Sequence, residues 1–419
     1  MAFRKHTEKV GVSALALSLS LSPLLIPKVY AQSAGRPGAT AATGNFASGN
    51  LTNLDLSSSS AAVSTKNITP VNIVVGGSLQ HGAVAGGTAL TILPGQLVTP
   101  AQYLAVLGAM NGQQTLLLNN QGAAFGGTTN LSSSNLQNLT GLTVPAGVSV
   151  HAIGYNANTP LNVAGSVNIA GAMFNLQTTP NVMAVLNMAN LNIAPGGLLT
   201  SNLPSGMSIA GVYASAGMQL NVAGNIVNQG TISSAGDLNL SALGSITNQA
   251  VSSSAIISGQ NVNLLIGSGT LVNSGLIQAA QALNINSPSS STDISINNTK
   301  GVLSAIGAES IPGIINIRQD GSALELANVK VVGGELAATS GINVYGKNMD
   351  IDVDTINGAI SSKGSSAHVS VSAGNLVLGD QILSGDPTYF NNAGDVTVGN
   401  ISAASDVAVV ASGNVTLNG

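Results

Sequence analysis

The densest set of acidic side chains in this 419-residue sequence is Asp350, Asp352 and Asp354, which alternate with Met349, Ile351 and Val353. Residues two apart share a face of an extended strand, so the three carboxylates should project together while the aliphatic residues point inward. Such a row of oxygen ligands suits calcium, a hard cation that accepts carboxylates in flexible geometry. The simpler reading is a charged row that keeps one strand soluble. No cofactor other than calcium is suggested by the residues.

Other residues could take part in chemistry only in combination. Arg318 and Asp320 precede the aspartate row, and a groove joining them to it would gather the acid and base groups that polysaccharide cleavage needs. His81, His151 and His368 are far apart and lack ligand spacing, so single polar or turn roles fit them better than metal or nucleophilic chemistry. Gly341, Gly346, Lys347 and Asn348 nearly spell a phosphate-binding loop. Asn348, however, stands where a Ser or Thr would meet the metal, and no helical pattern follows. Asp386, Pro387, Tyr389 and Phe390 read as a loop that holds two of only 6 Tyr and 5 Phe. If exposed, Tyr389 and Phe390 could stack on a glycan or touch a partner; otherwise they fold back over an edge.

These residues sit in a repeating frame. Ile232 is followed by Leu238 and Leu240, Ile257 by Val262 and Leu264, and Ile277 by Leu283 and Ile285. Further copies are Leu336 with Ile342 and Val344, Ile360 with Val369 and Val371, and Ile401 with Val407 and Val409. A period of about 20 to 25 residues marks a solenoid, whose units bury their apolar faces only by stacking. The alternation is that of strands, and no helical pattern intervenes. Coils made only of strands and turns form a parallel β-helix.

Composition agrees with an all-β rod. Hydrophobic residues make up 44% and charged residues only 6%, with 51 Gly and no Cys. Between Lys66 and Asp237 there is no Asp, Glu, Lys or Arg, so Asn, Ser, Thr and Gln must solvate that surface. Arg4, Lys5 and Lys9, then the apolar Val10 to Leu21, then Val29, Tyr30 and Ala31 match a secretory signal cleaved before Gln32. Pro23 and Pro27 break the apolar run, and no later run is long enough to span a bilayer. Cleavage would remove four basic residues and one acidic residue, making the chain more acidic than its full-length charge of −4. That balance argues against nucleic acid or anionic membrane as a partner. Without Cys, an exported chain has no disulfides and must rely on stacked apolar rows.

Residues 32–67 read as a Gly-, Ser- and Ala-rich leader. Thr99 as N-cap, Pro100 at the first helical position and Gln102 predict one short helix ending near Met110. Leu116 to Leu118, Asn119, Gly122, Phe125 and Gly126, with the strand pair Leu142 to Ala152, resemble the secretion domain of filamentous haemagglutinin-type exoproteins. Phrases such as VNQGTISSAGDLNL resemble the repeats of the same family, the passengers of two-partner secretion. The resemblance implies a right-handed parallel β-helix, 68–172 as a secretion-domain-like cap and 173–419 as the repeat region. It further implies a secreted or bacterial cell-surface adhesin or scaffold, with an outer-membrane transporter as export partner. Glycans, cell envelope or further copies of the chain are the binding partners expected. A polysaccharide lyase or hydrolase is the alternative. GNVTLNG, Gly413 to Gly419, has no polar cap, so the repeats are expected to continue in a longer chain or to stack on another molecule.

Overall fold

The computed structural model describes residues 138–418, apart from 145, 147, 204–207, 210–212, 253, 308–309 and 319–326. Before these it describes the strands Leu54–Asp55, Asn72–Val75, Ser78–His81, Ala83–Val84, Leu97–Val98 and Gln114–Asn119. The expected export signal and the helix from Thr99 to Met110 lie outside the described residues. Among the described residues there is no helix.

The chain winds as a parallel β-helix with three faces. A first face stacks Gly217–Val222, Asp237–Ala242, Val262–Ile266, Ala282–Asn286 and Ile314–Ile317. A second stacks Ile226–Asn228, Ile246–Asn248, Thr270–Asn273, Ile294–Asn297 and Val329–Val332. A third, shorter face stacks Leu198–Thr200, Thr231–Ser233, Ile256–Gly259, Leu276–Ala279, Val302–Ala305, Glu335–Ala338 and Thr355–Asn357. Two long strands, Gly341–Val353 and Ala359–Val371, run over both the first and second faces. Among the described residues antiparallel pairing occurs only up to Ala214, where Asn72–Val75 pairs with Ser78–His81 and Asn138–Val144, Leu54–Asp55 with Ala83–Val84, and Leu176–Gln177 with Tyr213–Ala214.

Period-two alternation decides which side chains fill the interior. In Asp237–Ala242, Leu238, Leu240 and Ala242 are buried while Asp237, Asn239 and Ser241 face outward. Register then converts the alternation into columns. Ile232, Ile257, Ile277, Leu303, Leu336 and Ile356 stack on the third face, and Leu238, Val262, Leu283, Ile315, Ile342 and Ile360 on the first. Burying each such side chain is worth about 1.5–3 kcal/mol, which makes these columns the main source of stability.

The last copies of the phrase differ from the expected spacing. Ile360 does not continue the column of Leu336, which passes to Ile356; it stacks instead on Ile342. The reason is the short link between third and first faces. It shrinks to Gly358, whose φ of 130° belongs to glycine. Beyond Asn357 the third side is a turn, Ser372 to Asn375 and then Asn392 to Asp395, stacked through the backbone bond from Asn392 to Val371. Another corner is equally strict. Gly364 stacks on Gly346, and a Cβ at Gly364 would overlap the Gly346 carbonyl oxygen.

A column of asparagines lines the corner between second and third faces. Asn228, Asn248 and Asn273 each donate through Nδ2 to Oδ1 of the next coil's Asn, at 2.7, 2.8 and 2.7 Å, ending on Asn298. Asn298 Nδ2 donates to the Glu335 carbonyl oxygen at 3.0 Å. At the same register position Ile193 precedes the column. Buried amides are tolerated because each satisfies the next.

Candidate binding surface

Asp350 and Asp352 lie on the outside of the second face, near its C-terminal coils, in an array with Lys330 and His368. Lys330, Asp350, His368 and Thr388 are successive partners across four coils. Two residues further along the same strands, Val332, Asp352, Ser370 and Phe390 form a parallel column. Neighbours within a column lie about 4.8 Å apart, and the two columns about 7 Å apart, because these are the repeats of a sheet.

Contacts within the array are specific. Lys330 Nζ lies 3.1 Å from Asp350 Oδ2, with the two side chains 57% and 48% exposed. His368 Nδ1 is 2.8 Å from Thr388 Oγ1. The His368 ring centroid is 5.4 Å from that of Phe390, with the planes tilted by 52°. Next to these columns, Asn348 Nδ2 donates to Asn328 Oδ1 and Ser366 Oγ to Asn348 Oδ1, both at 2.9 Å. Asn328 in turn donates its backbone N–H to Asp293 Oδ1 at 2.8 Å and its amide to the same carboxylate. These hydrogen bonds, the backbone one foremost, hold the Asp293 carboxyl below the usual carboxylate range.

The aspartate row divides on inspection. Asp350 and Asp352 point outward from one strand as expected, but Asp350 is engaged by Lys330. Asp354 lies past the strand end, where Oδ2 accepts the Gly334 backbone N–H at 3.0 Å. Asp352 alone keeps an open carboxylate. Among the described residues no three His, Asp or Glu side chains converge to hold a metal ion, so the row does not form an oxygen cage for calcium.

Tyr389 and Phe390 lie in a strand, Thr388–Asn391, and not in a loop. Alternation therefore sends them to opposite sides. Tyr389 is fully buried, and its hydroxyl donates to Gln381 Oε1 at 3.0 Å while Gln381 Nε2 donates to the Ile360 carbonyl oxygen at 2.7 Å. Burial raises its phenol pKa, and Tyr389 cannot serve as a surface contact. Phe390 remains half-exposed on the outer face.

Arg318 is not brought to the aspartates. Its strand pairs with the first-face half of Gly341–Val353, whereas Asp350 belongs to the second-face half. The guanidinium is buried, and Nη1 donates to the Thr292 carbonyl oxygen at 2.8 Å. Asp320 lies outside the described residues. Gly341, Gly346, Lys347 and Asn348 sit inside one strand, so no helix N-terminus is available to meet a phosphate there.

Sequence reasoning missed one surface feature. On the first face, Asn263, Asn284, Asn316 and Asn343 each donate Nδ2 to Oδ1 of the preceding coil's Asn, beginning at Asn239, at 2.7–2.9 Å. The signal was present as an Asn between two aliphatic residues in LNL, VNL, LNI, INI and INV. Coils of 24, 21, 32 and 27 residues separate the copies and hide it.

Comparison with models of known protein families, with curated proteins and with solved structures returns no match. Among the described residues no helix is long and apolar enough to cross a membrane.

Proposed function

We propose that this chain is a secreted or cell-surface adhesin or structural scaffold, of the filamentous haemagglutinin kind, that binds through the repeated exterior of its β-helix. One observation carries the reading. The inward residues are committed to stacking, while the outward ones repeat coil after coil as uncharged amides, from Asn239 through Asn343. Inner ladder amides use one N–H and one oxygen lone pair along the stack; the buried Asn316 serves the ladder alone, while the half-buried Asn239, Asn263, Asn284 and Asn343 leave their other groups for a partner. Weak contacts repeated at about 4.8 Å add through avidity without a deep pocket.

An exported rod of this kind binds glycans, cell envelope or its own copies, with an outer-membrane transporter as its route out. The alternative, a polysaccharide-cleaving enzyme, draws no support from the separation of Arg318 from Asp350. The test immobilises polysaccharide, envelope fragments or the protein itself at several densities and measures retention of the mature chain. Binding that strengthens steeply with density supports the reading. Failure to bind any of the three surfaces removes it.

A further inference from the structure

We infer that the outer second-face array around Phe390 is a binding platform for an uncharged pyranose glycan, an assignment that rests on the adhesin reading and gives it a specific point of grip. The array is the part of the described exterior where an aromatic ring, a free carboxylate, an imidazole and two hydroxyls share one plane.

Its components divide the work of sugar recognition. The half-exposed Phe390 ring offers an apolar face for the C–H face of a pyranose, and its tilted contact with His368 at 5.4 Å fixes its orientation. Asp352 precedes Ser370 and Phe390 in the same column, so its open carboxylate lies about 10 Å from the aromatic position, two coil spacings away. Ser370 fills the step between them. In the adjoining column, His368 meets Thr388 through Nδ1, which leaves Nε2 as the ring nitrogen available to a ligand. A carboxylate accepts from hydroxyls, while Ser and Thr hydroxyls both donate and accept. Together these groups match a ligand with one apolar face and a rim of hydroxyls.

Charge selects the class of sugar. Lys330, the lysine of the array, is already paired with Asp350. Asp352 has no cation in its own column, and Asp354 follows it two residues on, past the strand end. A uronic or sialic acid would therefore face uncompensated negative charge, whereas a neutral hexose would not. The platform is shallow and open on the sheet, which suits an extended chain occupying one or two sugar rings at a time.

The test titrates the mature chain with cellohexaose, mannohexaose and chitohexaose, and with a hyaluronate hexasaccharide as the acidic counterpart, by calorimetry and ligand-observed NMR. At least one neutral oligosaccharide should bind, and hyaluronate should not. Phe390→Ala should weaken that binding about tenfold or more, the loss expected for an aromatic anchor. Because Phe390 is partly buried, Asp352→Ala provides a second variant at an exposed position and should weaken binding several-fold with an unchanged circular dichroism spectrum. Neutral binding unaffected by both variants overturns the inference, as does preference for hyaluronate. If no oligosaccharide binds while the chain still adheres to immobilised polysaccharide, envelope or itself, the platform fails and the adhesin reading stands. Failure on every surface removes both.

Discussion

Asn248 and Asn273, one coil apart, are joined by a 2.8 Å hydrogen bond from Nδ2 to Oδ1 inside an otherwise aliphatic interior. Asn248 also accepts from Asn228, so it is the middle of a chain and cannot be removed without affecting both sides. Asn248→Ala should lower unfolding free energy by about 1–3 kcal/mol, because it removes side-chain hydrogen bonds with Asn228, Asn273 and the Ala255 and Leu276 carbonyl oxygens and partly orphans buried amides. Urea unfolding followed by circular dichroism measures this. A change below about 0.5 kcal/mol would mean the column is ornamental.

Inside and outside positions of the same strand should respond differently. Leu264 is buried and Asn263 faces outward in Val262–Ile266. Leu264→Ala should cost about 2–5 kcal/mol through lost burial and an unfilled cavity. Asn263→Ala breaks two exterior ladder bonds that water can replace, and should cost about 1 kcal/mol or less. Equal effects in parallel urea titrations would contradict the assignment of faces.

Much of this frame was legible in the sequence because its physics is local. Ile232, Ile257 and Ile277, each followed by an alternating aliphatic pair, stack as the spacing predicts, since a side chain two residues on must return to the same face. The late copies were misplaced because turn length decides which face a strand joins. Gly358 looks like any other glycine until its φ of 130° is known. For the same reason the sequence alone reads Tyr389 as part of a loop, either exposed or folded back over an edge. The preceding Asp386 and Pro387 suggest a loop, while the partner strand that draws Thr388–Asn391 into register lies twenty residues away. The platform around Phe390 was only half visible, because His368 and Asp352 join it through stacking between coils.

Gly364→Ala should be among the most damaging small substitutions. The added methyl group would overlap the Gly346 carbonyl oxygen, and neighbouring backbone cannot yield without breaking the pairing of Tyr345 and Gly346 with Lys363 and Gly364. Loss of about 2 kcal/mol or more is expected, in the range of overpacked interiors. Thermal unfolding beside Lys363→Ala, an exposed position one residue before, separates the clash from a general sensitivity of the corner.

The Lys330–Asp350 pair should contribute little to stability. Both side chains are about half exposed, so Lys330→Ala should change unfolding free energy by less than about 1 kcal/mol. The difference should shrink further in 1 M salt, where the screening length is about 3 Å. A larger, salt-resistant loss would show that the pair anchors the second face.

Acid should loosen the corner at Asp293 before it affects the interior. Its carboxyl is held below the ordinary range by the Asn328 hydrogen bonds, so the folded state favours the charged form. Stability from this source is therefore present above the unfolded pKa of about 3.9 and is lost as pH falls through the lower folded value. Asp293→Asn should be less stable than the parent at pH 6 and should approach it below about pH 3. Urea midpoints across that range supply the check, and a gap that persists at the acid end would contradict the assignment.

The central claim is that the exterior holds its partner without transforming it. The most direct measurement incubates the mature chain with soluble neutral polysaccharide and follows, in the same sample, the bound fraction and the polymer's reducing ends over a day. Retention of polymer with constant chain length is the predicted result. Progressive shortening that disappears in an Asp350→Asn, Asp352→Asn, Asp354→Asn variant would contradict it and establish the catalytic alternative.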